Sequence, residues 1–290
     1  MIKILFLALL ASLTSAQLSA QTSGSSDTKK PDVVPSISII LDDIGEQLSP
    51  ALRVIAMPYQ LTYAFIPHTT HARYLAELAH KSNKEVMLHM PMQSLNQERL
   101  GEGGLTFDMT RERFTQMVRK NLKAIPHIKG VNNHMGSQLT QNVSNMQWLM
   151  DEIKTKRSMY FVDSRTTAAS VGLKTAQNNG IPSLKRDVFL DTDISTEAIN
   201  YQFQRLIKKA RKNGSAVAIG HLYPQTLAVL AKELPKLAAA GIKLVPVSKL
   251  IQYNDYLASL KPIKLVFNNA DHPHNGNTET IIPQPKIQHF

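Results

Sequence analysis

The chain has 290 residues, a formal net charge of +11, 43% hydrophobic residues and no cysteine. That length suits one large domain or two small ones with a sizeable core. The missing thiols exclude disulfides, a cysteine nucleophile and thiolate metal sites. A metal here must be held by imidazole and carboxylate, which suits zinc or a similar divalent ion.

The start reads as a secretory signal peptide. Lys3 supplies the positive region, Ile4–Leu13 the apolar region, and Thr14-Ser15-Ala16 a small-residue cleavage site. Residues 1–16 are thus expected to be removed. The apolar run falls short of the ~20 residues that a bilayer crossing needs, and no other segment reads as membrane-spanning. The mature chain is expected to be secreted, or periplasmic in a Gram-negative host. There a basic protein meets anionic envelope polymers or membrane surfaces, not nucleic acid. Residues 17–35, rich in Ser, Thr, Gln, Lys and Pro, read as a flexible linker.

From Ser36 on, apolar strand-like runs alternate with helical ones. Ser36–Leu41 is a strand ending in Asp42-Asp43. Leu48–Met57 is a short helix stopped by Pro58, and Leu61–Pro67 is a second strand. His68–Ser82 is helical, and Glu85–Leu88 is a strand ending in His89. Thr110–Ile125 is a helix with Thr110 as N-cap and Pro126 as stop. Val131–Asn133 leads into His134-Met-Gly-Ser137. Helices over Ser144–Lys156 and Thr167–Asn179 flank the strand Met159–Val162, which ends in Asp163-Ser-Arg165. Val188–Leu190 ends at Asp191. A helix over Ser195–Lys212 stops at Gly214, and its late run of Lys208, Lys209, Arg211 and Lys212 suits the helix dipole. Ala216–Gly220 ends in His221. Pro224 opens a helix towards Gly241, and Ile242–Val247 is the last clear strand. The domain is set at 36–253. Residues 261–290 read as a disordered tail with one strand-like stretch, Ile263–Phe267. Seven or eight strands alternating with helices imply a mostly parallel sheet, and so many units in one domain favour a distorted (β/α) barrel.

In such a fold all C-terminal strand ends lie on one face, where active sites are kept. The carboxylates and histidines at those ends should therefore converge. They point to a metal-assisted hydrolase. In Asp42-Asp43 one carboxylate can ligate a cation, while the other stays ionised beside it as a general base. His89 and His134 plus one carboxylate leave open positions for water and substrate, as catalytic metal sites require. His221, next to Gly220, suits a general acid for a leaving group.

The segments Leu41-Asp-Asp-Ile-Gly45, Met87-Leu-His-Met-Pro91, Asn132-Asn-His-Met-Gly-Ser137, Phe161-Val-Asp-Ser-Arg165, Val188-Phe-Leu-Asp191 and Ile219-Gly-His221 together resemble the polysaccharide deacetylase superfamily. The wording is most similar to its divergent, YibQ-like branch. The resemblance covers roughly Ser36 to Tyr253. It implies a distorted barrel, a divalent metal with zinc as first choice, and removal of N-acetyl groups from a glycan such as peptidoglycan or another anionic envelope polymer. It makes Asp42 the base, Asp43 a metal ligand and His221 the acid. The superfamily's second motif is His-x3-His. His89 fits its first position, but Gln93 occupies the second. Either His134 completes the metal set or the metal is held differently. Arg165 is the candidate for the superfamily's arginine. Asp163, Ser137 and Asp191 are candidates for substrate binding or support of the site. The alternative is a glycan-binding envelope protein that keeps the barrel without turnover.

Overall fold

A computed structural model describes residues 34–259. The leader, the linker up to residue 33 and the tail with Ile263–Phe267 lie outside the described residues. No described helix is long and apolar enough to cross a membrane.

The strands are β1 (Ser36–Ile44), β2 (Thr62–Phe65), β3 (Glu85–Met92), β4 (Ile128–Met135), β5 (Tyr160–Asp163), β6 (Ser183–Lys185), β7 (Val188–Phe189), β8 (Ser215–Gly220) and β9 (Lys243–Leu244). The helices are α1 (Leu48–Ile55), α2 (Ala72–Lys81), α3 (Arg111–Ala124), α4 (Val143–Lys154), α5 (Gly172–Asn178), α6 (Thr196–Asn213), α7 (Pro224–Glu233) and α8 (Val247–Ser259). The strand order is β6-β5-β4-β3-β2-β1-β8-β7, and β9 pairs with the start of β1. Every pairing is parallel.

The edge strands β6 and β7 do not pair with each other. They are successive parts of one extended segment. Its first part bonds to β5 and its second to β8. Between them, Arg186 N–H donates to Asp163 O at 2.9 Å and Asp187 N–H to Val217 O at 2.8 Å. One segment thus joins the two ends of the curled sheet, which makes the expected distorted barrel.

Three strands run further than their apolar stretches. β1 continues through Asp42 and Asp43, β3 through His89 to Met92, and β4 through His134 to Met135. The polar groups therefore stand inside the final rungs, so strand alternation decides where they point. Ile37, Ile39 and Leu41 of β1 pack towards the helices, as do Val86, Leu88 and Met90 of β3. Ile40, Met87, Val162, Val217 and Ile219 face the barrel interior. Continuing the inward rows upward leads to Asp42 and His89. At Gly130 the interior admits no side chain, because an added Cβ would lie 2.2 Å from the Tyr160 ring.

Several helix ends follow local rules. The side chains of Thr110, Asn142 and Ser195 accept from Arg113, Asn145 and Ala198 N–H. Gly214 closes α6 at φ 85°. Other ends differ from expectation. Helix α2 starts at Ala72, because His68 has φ 64° and cannot continue a helix. Helix α5 starts at Gly172, because the preceding loop is tied to Asp163. Helix α8 and strand β6 have no counterpart among the elements read from the sequence.

Helix α8 plugs the bottom of the barrel with Val247, Leu250 and Ile251. Its first N–H groups are capped from far away in sequence. Val247 N–H donates to Thr62 Oγ1 at 3.1 Å and Ser248 N–H to Glu85 Oε1 at 3.2 Å. Thr62 Oγ1 and Tyr160 Oη donate to the same carboxylate at 3.0 and 2.8 Å. Removing the acceptor leaves several buried donors without partners. Glu85→Ala should destabilise the domain by about 2–4 kcal/mol in urea unfolding. Glu85→Gln, which keeps one acceptor oxygen, should cost clearly less.

Candidate active site at the barrel mouth

Asp42 and Asp43 are neighbours on one strand, so alternation would send them to opposite faces. The backbone prevents this. Asp43 has φ 60°, and the pairing of β1 with β2 slips between Leu41 and Ile44. A bulge of this kind re-aims a side chain, and aspartate tolerates the left-handed region better than most residues. Both carboxylates then face one cavity.

Asp42 is buried, and its Oδ1 accepts from Asn132 Nδ2 at 2.9 Å. The same amide presents its Oδ1 to His89 Nδ1 at 2.8 Å. Because Nδ2 donates to the carboxylate, Asn132 Oδ1 must accept, so His89 carries its proton on Nδ1. Its Nε2 is left to face Asp43 Oδ1 at 3.2 Å and His134 Nδ1 at 3.2 Å. His134 Nδ1 lies 2.8 Å from Asp43 Oδ1. That approach is short but misaligned for a hydrogen bond, and Asp43 Oδ1 is buried without a hydrogen-bond partner among the described residues.

Three ligand atoms from Asp43, His89 and His134 thus crowd one point. Two ligands about 2.1 Å from a tetrahedral zinc ion are themselves about 3.4 Å apart, and somewhat closer around an octahedral ion. The observed separations are close to this. An orphaned buried oxygen beside two imidazole nitrogens fits a divalent cation. Gln93 is not part of the set. Its Oε1 accepts from Phe107 N–H at 2.7 Å, and its backbone bonds to Leu105, Gln138 and Leu139. His134, from the strand next to His89, stands where a third ligand is needed.

On the other side of Asp43 stands His221, whose Nε2 is 3.7 Å from Asp43 Oδ2. Its Nδ1 donates to Asp191 Oδ1 at 2.9 Å, and its backbone N–H donates to Asp191 Oδ2 at 2.6 Å. Thr226 Oγ1 also donates to Asp191 Oδ2, at 2.8 Å. Asp191 therefore fixes both the ring and the tautomer of His221, leaving Nε2 towards the cavity. Phe189 and Tyr223 flank the ring, with centroids 5.3 and 5.8 Å away.

The electrostatics separate the groups. Burial raises the Asp42 carboxyl, and the imidazoles of His89 and His221 offset this only in part. For Asp43 burial acts in the same direction, but His134 and His89 outweigh it and hold the carboxyl well below the usual range. Burial opposes protonation of His221, yet the hydrogen bond to Asp191 and the nearby carboxylates push it up to about 9.

The remaining candidates lie outside this cluster. Asp163 is fully buried and stitches the loop before α5, accepting from Arg165 N, Ser170 Oγ and Leu173 N. Arg165 has φ 53°, and its guanidinium has no ion pair among the described residues. Ser137 Oγ accepts from Leu95 N–H at 2.9 Å, which ties two mouth loops together. Two other residues were not singled out from the sequence. Asn132 links Asp42 to His89. Arg186 donates to the carbonyls of Ser164 and Arg165 at 2.6 and 2.7 Å and lies over the Phe189 ring. An Asn pair inside a strand, where Asn is depleted, was the available signal for Asn132. Arg186 carried none, because it sits between two very short strands.

The family model of the divergent polysaccharide deacetylases matches residues 39–251. The chain is 34% identical over 246 residues to the uncharacterized protein YibQ of Escherichia coli (strain K12), covering 85% of this chain and 76% of that protein. It is 35% identical over 237 residues to an uncharacterized protein of Haemophilus influenzae, covering 82% and 84%. The crystal structure of the uncharacterized Agrobacterium tumefaciens protein ATU2773 superposes with a TM-score of 0.71 at 21% identity, over 74% of this chain and 89% of that one, so the two share a fold. The matched residues run from β1 into α8 and include both carboxylates and all three histidines of the mouth, and on that match the chain belongs to the divergent polysaccharide deacetylase family.

Proposed function

We propose that this chain is a metal-dependent hydrolase acting outside the cytoplasm, in the periplasm of a two-membrane host. It removes the acetyl group from an N-acetylated sugar of an envelope or extracellular glycan. The observation that carries the reading is the orphaned Asp43 Oδ1 between His89 Nε2 and His134 Nδ1, with Asp42 on one side and the Asp191–His221 pair on the other.

Asp43, His89 and His134 would hold the ion. When bound, a zinc-type ion supplies Lewis acidity to the amide carbonyl and acidifies a water. Asp42 has one oxygen engaged by Asn132 and the other, Oδ2, directed to the cavity. That oxygen takes the proton of the attacking water. His221 carries a proton on Nε2 and delivers it to the departing amine nitrogen. Asp191 steadies the imidazolium while it waits. The second reading, a glycan binder without turnover, draws its support from Gln93. The three-residue cluster does not call on that position.

Acetate release from N-acetylated oligosaccharides by zinc-loaded protein tests the reading. Asp42→Asn should keep zinc binding and lower turnover by about 10²–10⁴. His221→Ala should cost a similar factor on the amide but spare an activated acetyl ester, whose leaving group needs no proton. A wild type that binds glycan and zinc yet releases no acetate would favour the binder.

Zinc titration of chelator-treated protein tests the cluster. His134→Ala removes one of three ligands and should lower affinity sharply. Asn132→Ala should weaken zinc by about 10–100-fold through loss of the His89 tautomer lock. Unchanged affinity in both variants would sink the assignment.

The His221 shift predicts a pH dependence in the same chelator-treated protein. The folded chain holds the proton up to about 9, whereas an ordinary histidine releases it near 6.5. This contribution to stability is complete below about 6.5 and is lost as pH rises through about 9. Unfolding midpoints of wild type and His221→Gln should therefore converge as pH rises across that window.

A further inference from the structure

Six of the ten exposed large apolar side chains among the described residues are Leu48, Leu95, Phe107, Val143, Ile194 and Tyr223. All six lie in strand-to-helix connections or at the first residue of the following helix. In a parallel barrel those positions form the mouth that holds the Asp43 cluster. The distribution leaves an apolar rim around a floor of carboxylates and imidazoles.

One aromatic member lies against a site residue, and another is tied to the segment that follows His89. Tyr223 is 44% exposed and lies beside the His221 ring. Phe107 is 48% exposed, and its N–H is held by Gln93 Oε1, four residues beyond His89 on the same chain segment. Gln93 N–H and the Leu105 N–H pin the two sides of this loop together, through Leu105 O and Pro91 O. The two residues come from different connections of the mouth. One belongs to the connection after β3 and the other to that after β8. These strands stand three places apart, about 14 Å along the sheet.

We propose that Phe107 and Tyr223 are stacking platforms for a glycan strand laid across the mouth, and that Gln93 is the positioning residue for Phe107. The proposal rests on the hydrolase reading and deepens it: the substrate is an oligomer or polymer engaged on both sides of the reacting sugar. A pyranose ring presents an apolar C–H face and a polar edge, which matches aromatic rim and polar floor. A bilayer is a poorer match. Exposed Glu98, Glu102 and Asp108 share the loop of Leu95 and Phe107 with one cation, Arg99, Glu102 being paired with Lys120, and Asp193 and Glu197 flank Ile194. These carboxylates would face anionic headgroups.

The test is binding of N-acetylglucosamine oligomers of increasing length to full-length, chelator-treated protein, followed by calorimetry so that no turnover intervenes. Affinity should rise from monomer to pentamer. Phe107→Ala and Tyr223→Ala should each weaken the pentamer about tenfold and leave the monosaccharide and the zinc affinity unchanged. Phe107→Trp should retain binding. Gln93→Ala should reproduce the Phe107→Ala loss without adding to it in the double variant, and Gln93→Glu, which keeps an acceptor oxygen, should rescue it. No binding of any oligomer, no length dependence, or pentamer affinity unaffected by both alanine variants overturns the proposal. So does a loss seen instead in binding to phosphatidylglycerol vesicles. Oligomer binding that behaves as stated without acetate release from zinc-loaded protein would remove the hydrolase reading and keep the platforms. Acetate release with oligomer affinity blind to both rings would do the reverse.

Discussion

The site depends on one strained step in the backbone. A non-glycine residue at φ 60° costs on the order of 1–2 kcal/mol, and Asp43 adopts it near the end of β1. A regular strand would place the Asp43 carboxylate in the helix-side layer with Leu41, among apolar side chains. The slip in pairing between Leu41 and Ile44 turns it inward. Only then do two adjacent carboxylates share a cavity. Only then do histidines from β3, β4 and the end of β8 reach the same residue from both sides.

The barrel interior is layered by polarity. At the bottom Glu85 is enclosed, and two hydroxyls and the Ser248 N–H occupy its oxygens. In the middle Ile40, Ala64, Met87, Val162, Val217 and Ile219 form a dry layer. At the top Asp42, Asn132 and His89 form a second buried polar group. Burying such groups is costly unless each is paired. The bottom layer meets that condition with protein atoms alone. At the strand ends Asp43 Oδ1, inside the cluster, and Ser164 Oγ, just after β5, stay without a partner among the described residues. The apolar layer between them lets the two polar clusters follow different rules.

Much of this order was legible in the sequence, for a physical reason. Apolar runs report burial, and the abrupt change to Asp or His reports the level at which the interior stops being dry. The parallel barrel, most strands and the converging residues follow from that. What stayed hidden depends on distant partners. Helix α8 lacks a local N-terminal signal because Glu85 and Thr62, from other strands, cap it. Strand β6 is three residues long and exists because its chain segment spans the gap between β5 and β8. The role of Asn132 is set by register, which aligns it with His89 across β3 and β4. Asp163 reads like a site residue because it ends a strand, yet its oxygens are taken by the loop it holds.

Gln93 links the Asp43 cluster to the rim. In the ladder His89 stands opposite Asn132 and Pro91 opposite His134. His134 is therefore one inward position above Asn132 on a strand bonded to that of His89. Two imidazoles on adjacent rungs are positioned by main-chain hydrogen bonds common to both strands. A second histidine at residue 93 would instead project from just beyond the end of β3, where the chain turns into a long loop. With His134 beside His89, residue 93 is free for another task. A glutamine there can accept from the backbone of Phe107, which a metal-bound imidazole could not do. With the second imidazole on the neighbouring strand the cluster is complete without residue 93, which serves instead as a brace for the mouth.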